Sequence, residues 1–119
     1  MGMKRVLIID DSSFMRRFLK NILVQNGYEI VGEAANGRVG IKKYKELNPD
    51  IVTMDITMDD MNGIDALKHI IEYDAAANVV MVSSMGQDAI VRDAITAGAK
   101  NFVVKPFNEQ SVIGTLSKL

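Results

Sequence analysis

Five residues of this sequence have side chains suited to phosphoryl chemistry: Asp10, Asp11, Asp55, Ser83 and Lys105. An aspartate carboxylate can act as a nucleophile and form an aspartyl phosphate. Oxygen ligands with no histidine or cysteine nearby in the sequence favour Mg²⁺, which commonly binds carboxylates together with waters and phosphate oxygens. A lysine ammonium and a serine hydroxyl supply the donors that transferring phosphoryl oxygens require. Together these residue types indicate a Mg²⁺-dependent site at which an aspartate is phosphorylated.

The elements that would position these residues alternate along the chain. Short apolar runs are followed by longer segments in which apolar residues recur at helical spacing. The predicted strands span 6–9, 28–34, 51–54, 79–82 and 102–104. Strands that are apolar throughout indicate a parallel sheet covered by helices on both faces. We therefore predict a doubly wound α/β fold, flavodoxin-like, with a five-stranded parallel sheet in the order 2-1-3-4-5 and five helices.

The apolar spacing also predicts which face of each helix is buried. Three such stripes comprise Phe14, Phe18, Leu19, Ile22 and Leu23, then Ile64, Leu67, Ile70 and Ile71, then Ile90, Val91, Ala94 and Ile95. Gly40 interrupts the second helical pattern at a cost of roughly 1 kcal/mol relative to alanine. We expect it to allow a close approach of that helix to the sheet.

Four of the five predicted strands end in residues of this chemical set. Ligands bind beyond the carboxyl ends of the strands in open parallel sheets, where the strand order reverses. Neighbouring first and third strands would bring Asp10, Asp11 and Asp55 together, and their repulsion would be relieved by a raised pKa or a bound cation. Taken singly, Asp11 could be a helix cap and Lys105 a surface lysine. The combination favours the chemical interpretation.

Composition narrows the classes of function. The chain has 119 residues, 48% of them hydrophobic, which fits one domain spanning 1–119. A net charge of -1 gives no basic surface typical of nucleic-acid binding. The absence of cysteine excludes disulfides and thiolate metal sites. No segment is apolar for long enough to span a membrane, so we expect a soluble, cytoplasmic protein, most simply a monomer.

Motifs along the whole chain resemble those of receiver domains of two-component response regulators, most closely the single-domain chemotaxis regulators of the CheY-like type. The segments that carry the resemblance are Val6-Leu-Ile-Ile-Asp-Asp11, Asp50-Ile-Val-Thr-Met-Asp-Ile-Thr57, Met61-Asn-Gly63, Met81-Val-Ser83, Ala97-Gly-Ala99 and Phe102-Val-Val-Lys-Pro106. As an ordered set these motifs are highly specific.

The resemblance implies a role for each site residue. Asp55 is similar to the phosphoacceptor, and Asp10, Asp11, Asp55 and the backbone carbonyl of Thr57 to the Mg²⁺ ligands. Ser83 resembles the hydroxyl residue that turns to the phosphoryl group, and Phe102 the aromatic residue whose rotamer follows it. Lys105 resembles the lysine that pairs with the phosphate, and its bond to Pro106 is expected to be cis.

The resemblance also implies partners. A chemotaxis-type histidine kinase would donate the phosphoryl group, a flagellar motor switch protein would recognise the phosphorylated domain, and a phosphatase would be a further partner. The protein would be a signalling phosphoacceptor that phosphorylates and dephosphorylates itself, and not otherwise an enzyme. A phosphorelay intermediate or the receiver portion of a chemotaxis methylesterase are alternatives. No effector segment follows Leu119, so we expect the domain itself to be recognised.

Four residues depart from the family pattern. Asp59 stands where most members have proline; it would either strengthen cation attraction or be a solvated loop acid. Phe102 replaces a common tyrosine, so a switch here would work by packing alone. Thr57 and Met85 offer no amide or carboxylate to orient water, which predicts slow self-dephosphorylation.

Two other classes of protein share part of this pattern. A haloacid-dehalogenase-like phosphatase needs a second acid two residues after its nucleophile, where this chain has Thr57. A flavodoxin-like cofactor carrier needs a first loop that accepts phosphate, which Asp10 and Asp11 would repel. Both are therefore disfavoured by the sequence.

Overall fold

Five strands alternate with five helices in the computed structural model, which describes residues 2–119. The elements are β1 (Arg5–Ile9), α1 (Ser13–Gln25), β2 (Glu29–Ala34), α2 (Gly37–Leu47), β3 (Ile51–Asp55), α3 (Gly63–Tyr73), β4 (Val79–Ser84), α4 (Asp88–Thr96), β5 (Asn101–Lys105) and α5 (Glu109–Leu116). The sheet is parallel throughout, in the order β2-β1-β3-β4-β5. The predicted fold and strand order are confirmed. Met1, part of the predicted domain 1–119, lies outside the described residues.

Alternate side chains of the central strands enter two separate cores. In β1, Val6 and Ile8 pack with residues of α1 and α5, whereas Leu7 and Ile9 pack with residues of α2, α3 and α4. All four are essentially inaccessible to solvent. This two-sided burial explains why the strand sequences are apolar without alternation.

Gly40 lies where α2 crosses β1. A Cβ built on Gly40 would lie 2.5 Å from Cδ1 of Ile9. A larger side chain would fit this contact only if the Ile9 side chain or α2 shifted, so the predicted close approach of this helix to the sheet is confirmed.

The prediction for the buried face of α1 is wrong for its two phenylalanines. Leu19, Ile22 and Leu23 are buried, but Phe14 is 72% exposed and Phe18 39% exposed. Phe14 lies about 140° around the helix from Leu19, near the end of the element. Its ring stacks on that of Phe18 at a centroid distance of 6.4 Å instead of entering the core.

The predicted stripe on α4 is wrong at its edges for a different reason. Val91 and Ala94 are buried, whereas Ile90 and Ile95 are more than a third exposed. Ile95 lines a cavity of about 480 Å³ between α4 and β5. The helix therefore packs on the sheet through a narrower stripe than its sequence suggests.

None of the helices within residues 2–119 combines the length and the hydropathy that crossing a bilayer would require.

Candidate functional site

Three carboxylates converge at the carboxyl ends of β1 and β3. Asp10 and Asp55 are buried, and Asp11 is exposed. One carboxylate oxygen from each residue lies within 4.8 Å of the others. The parallel register pairs Ile9 with Met54, which places Asp10 beside Asp55 at the same edge of the sheet. The structure therefore brings together the acids that the sequence placed at neighbouring strand ends.

Lys105 approaches this acid cluster from the end of β5. Its Nζ lies 3.7 Å from Oδ1 of Asp55 and 3.8 Å from Oδ2 of Asp10. Both distances exceed those of a close charged hydrogen bond, so the ammonium is shared between the two carboxylates. One ammonium faces the two buried carboxylates, and the third carboxylate, that of Asp11, adds further negative charge to the cluster.

Burial is the main reason that the pKa values of the two buried acids are raised, and repulsion between the carboxylates adds to it. Burial raises the pKa of Asp55 to about 6, and the neighbouring charge of Asp10 adds to this effect. Lys105 and the N–H of Thr57 act in the opposite direction on that pKa. Burial also raises the pKa of Asp10, although a hydrogen bond from the N–H of Ser12 to its Oδ1, at 2.8 Å, counteracts it. Both buried acids are thus less easily ionised than free aspartate.

Oδ2 of Asp10 is a further sign that the cluster is incomplete. It is buried and has no hydrogen-bond partner among the described residues. A hard divalent cation prefers such a set of carboxylate oxygens and would offset their mutual repulsion. The donor set therefore fits Mg²⁺.

Ser83 completes the pocket at the end of β4. Val82 pairs with Asp55 in the register of β3 and β4, so Ser83 lies one residue beyond Asp55 at the same edge. Its Oγ is buried and finds no hydrogen-bond partner in residues 2–119. A buried hydroxyl without a partner costs about 1 to 3 kcal/mol. An acceptor oxygen arriving in the pocket would remove this cost.

The loop after β3 is held tightly against the end of that strand by Gly63. A Cβ on Gly63 would lie 2.2 Å from the carbonyl oxygen of Asp55. Its N–H donates to the carbonyl of Ile56 at 2.7 Å, and the Asn62 side chain caps α3 by accepting from Asp65 N–H. The loop therefore has fixed ends without a proline at position 59.

The acidic residues of this loop lie outside the cluster. Asp59 is exposed and is not among the three described acids that converge. Asp60 pairs with Arg38 at 3.2 Å on the surface. This geometry favours the interpretation of Asp59 as a solvated loop acid.

Phe102 lies on β5 beside the cavity between α4 and β5, and it is 40% exposed. The cavity is otherwise lined by Ser83, Ser84, Met85, Asp88, Val91, Arg92, Ile95, Thr96 and Val104. Ser83 therefore borders both the acid cluster and the space beside Phe102. The Lys105–Pro106 bond is cis, as predicted.

Arg16 and Gln87 are polar contacts of the site that the sequence did not reveal. Arg16 donates to the backbone carbonyl of Asp10 at 2.6 Å and pairs with Glu33 at 3.2 Å. Gln87 donates to Oγ1 of Thr57 at 3.2 Å. Neither residue ends a strand, and both reach the site along a flexible side chain. The pattern of residues at the strand ends therefore could not predict these two contacts.

The sequence model of one protein family, the response regulator receiver domain, matches residues 6–117 of the chain. The chain belongs to this family. The chain is therefore neither a haloacid-dehalogenase-like phosphatase nor a flavodoxin-like cofactor carrier, although it shares the fold of the latter.

Similar proteins within the family are chemotaxis regulators. The chain is 58% identical to chemotaxis protein CheY of Thermotoga maritima, covering 98% of this chain and 97% of that one. It is 55% identical to chemotaxis protein CheY of Bacillus subtilis, with 96% and 95% covered. A solved structure of a CheX-CheY-BeF3-Mg complex from Borrelia burgdorferi matches with a TM-score of 0.93 and 41% identity, over 97% of this chain and 87% of that chain. This receiver domain is therefore a signalling protein of the chemotaxis type, and the methylesterase and phosphorelay alternatives are not favoured.

Proposed function

We propose that this receiver domain accepts a phosphoryl group on Asp55 from a chemotaxis-type histidine kinase, in a Mg²⁺-dependent reaction, and thereby changes its binding to a flagellar motor switch protein. The observation that carries this proposal is the convergence of Asp10, Asp11 and Lys105 on the buried carboxylate of Asp55. A nucleophile in this position has both the carboxylates that could hold a cation and an ammonium close by.

The chemical step follows from these neighbours. A carboxylate oxygen of Asp55 forms a bond to phosphorus as the bond from phosphorus to the kinase histidine nitrogen breaks, and the electron pair stays on the imidazole. Lys105 Nζ, which already faces Oδ1 of Asp55 at 3.7 Å, stabilises the charge that spreads over the phosphoryl oxygens. Hydrolysis later returns inorganic phosphate and the free carboxylate.

Asp10, Asp11, Asp55 and the backbone carbonyl of Thr57 would hold the magnesium ion. When bound, the ion neutralises the carboxylates and the incoming phosphoryl group together. It would also offset the burial and the repulsion from Asp10 that raise the pKa of Asp55, so that the nucleophile stays ionised to lower pH.

Ser83 and Phe102 form the proposed switch. The hydroxyl of Ser83, which has no partner within residues 2–119, is drawn to the phosphoryl oxygens, and its movement vacates space in the cavity beside Phe102. The Phe102 ring then populates an inward rotamer, which alters the surface formed by α4, β5 and α5. With no phenolic hydroxyl, the ring acts through packing alone. A phosphatase would end the signal, since the similar Borrelia burgdorferi protein is found in a complex with CheX.

The test is modification by beryllium fluoride or a small-molecule phosphodonor, with and without Mg²⁺. We expect the wild type to be modified only with Mg²⁺, and Asp55→Asn not at all. Asp93→Asn is the matched control, because Asp93 is an exposed aspartate of α4 and should be modified like the wild type. A wild type that remains unmodified in Mg²⁺ would refute the proposed function.

A further inference from the structure

The side chain of Gln87 joins the two loops that flank Asp55. Its amide oxygen accepts a hydrogen bond from the backbone N–H of Ser84 at 2.6 Å, and its amide nitrogen donates to Oγ1 of Thr57 at 3.2 Å. Thr57 is in turn connected to the acceptor, because its backbone N–H approaches Oδ1 of Asp55 at 3.4 Å. One half-buried side chain therefore spans from the end of β4 to the loop after β3.

This bridge is not part of the normal start of a helix. Gln87 occupies the N-cap position of α4, but its side chain makes no capping hydrogen bond within the described chain. The side chains of Ser12, Asn36, Asn62 and Asn108 do cap the other four described helices. The amide of Gln87 is thus engaged by the two loops instead of by its own helix. Its replacement removes the bridge without removing a cap.

The bridge through Gln87 opposes a movement of Ser83 towards Asp55. Its buried hydroxyl lacks a partner in the part of the chain that the structure describes. A phosphoryl oxygen on Asp55 would attract that hydroxyl, and Ser84 would move with it because the two residues are adjacent. Such a movement separates the N–H of Ser84 from Gln87. The contact from Ser83 to a phosphoryl group and the bridge through Gln87 are therefore alternatives.

We propose that Gln87 is a positioning residue whose amide clasps the loops after β3 and β4 in their unphosphorylated arrangement, and that this clasp opens when a phosphoryl group on Asp55 draws Ser83 away. The inference rests on the proposed function and adds a restraint to it. Because the clasp stabilises one of two arrangements, its removal shifts the population towards the other before any ligand binds. Gln87 directly precedes α4, which begins at Asp88. Release of Gln87 therefore also frees the start of the helix that lines the cavity beside Phe102.

Two substitutions break the clasp from opposite ends. Gln87→Ala removes the amide, and Thr57→Val removes the hydroxyl that accepts from it while keeping the backbone. The full chain, saturated with Mg²⁺, is titrated with beryllium fluoride, and bound fluoride is followed by ¹⁹F NMR. We expect each variant to lower the midpoint about threefold to tenfold, the effect of one hydrogen bond. The double variant should match a single variant, because either change already breaks the bridge.

Gln25→Ala serves as the control, since Gln25 is an exposed glutamine at the far end of α1, and its midpoint should equal that of the wild type. A purely structural role for Gln87 has the opposite sign, because a loosened site binds the probe more weakly. The clasp would be overturned if the beryllium fluoride midpoint were unchanged or raised, or if only one of the two single variants shifted it. It would also be overturned if the shift in the double variant were the product of the two single shifts. These outcomes would leave the proposed function intact as long as the wild type binds the probe and Asp55→Asn does not. A wild type that fails to bind it overturns both.

Discussion

The two edges of the site are held in different ways. At the ends of β1 and β3, Asp10 accepts from the N–H of Ser12, its carbonyl accepts from Arg16, and Gly63 packs directly on the backbone of Asp55. At the ends of β4 and β5, Ser83 has an unpartnered hydroxyl within the described chain, and a cavity of about 480 Å³ lies beside Phe102. The first edge is fixed by backbone contacts. The second is bordered by a cavity, so that Ser83 and Phe102 have space in which to respond.

The difference separates two requirements of a phosphorylated switch. A nucleophile and its cation ligands need a constant geometry, because small displacements reduce the rate of the chemical step. A reporting residue needs two arrangements that differ little in free energy. Substitutions at the ends of β1 and β3 should therefore change cation binding and phosphorylation. Substitutions at the ends of β4 and β5 should change the balance between the two arrangements.

The largest effect is expected from removing an acid of the cluster. Asp11→Asn should weaken Mg²⁺ affinity by about a hundredfold, because it takes an exposed carboxylate ligand from the only described group of converging acids. Isothermal titration with Mg²⁺ measures this change. Asp59→Asn is the matched control, since Asp59 is an exposed loop acid outside the cluster. Equal losses in the two variants would show that general negative potential, and not ligation, attracts the cation.

The next largest effect concerns stability and pH. The pKa of Asp55 is raised from 3.8 to about 6, so the folded chain holds this proton more tightly than the unfolded chain. Ionised Asp55 therefore destabilises the fold above pH 6, and this cost disappears as the pH falls towards 4. In the absence of Mg²⁺, Asp55→Asn should be more stable than the wild type by about 1 to 3 kcal/mol at pH 7.

Urea unfolding at several pH values tests this prediction. The advantage of Asp55→Asn should shrink between pH 6 and pH 4, and it should also shrink at pH 7 when Mg²⁺ binds the wild type. An advantage that does not vary with pH would mean that the charge of Asp55 is not its source.

A smaller effect distinguishes the two edges most sharply. Ser83→Ala removes a buried hydroxyl without a described partner and should stabilise the unmodified chain by about 1 kcal/mol, while weakening the binding of beryllium fluoride. Thr53→Val is the matched control, because Thr53 Oγ1 is also buried and unpartnered among the described residues but lies within β3. It should stabilise the chain without affecting the probe. If both variants bound the probe equally well, Ser83 would have no role in the switch.

The smallest effect is on the lifetime of the phosphorylated state. Thr57→Asn places an amide near Asp55, where it can orient the attacking water through a hydrogen bond. One such hydrogen bond should accelerate self-dephosphorylation about fivefold. Decay of the phosphorylated chain after removal of the phosphodonor measures this rate. Thr57→Val gives the rate for loss of the hydroxyl alone. Decay of Thr57→Asn that is no faster than that of the wild type would contradict the expectation.

The sequence could predict those parts of the site that strand order positions. Asp10, Asp55 and Lys105 lie at the carboxyl ends of parallel strands, and the apolar strands indicated a sheet in which those ends meet. The contacts of Arg16 and Gln87 depend on the conformation of long side chains, which no periodicity records. The exposure of Phe14 could have been predicted from the helical spacing itself, which places this residue about 140° around α1 from the buried Leu19.

Gly63 has a consequence for tolerance to mutation. It carries no functional group, yet any β-carbon at that position would lie 2.2 Å from the carbonyl oxygen of Asp55. Backbone atoms cannot yield as a flexible side chain can, so even alanine would displace the acceptor itself. In a library of all single substitutions selected for signalling, this glycine should be as intolerant of replacement as the aspartate it touches.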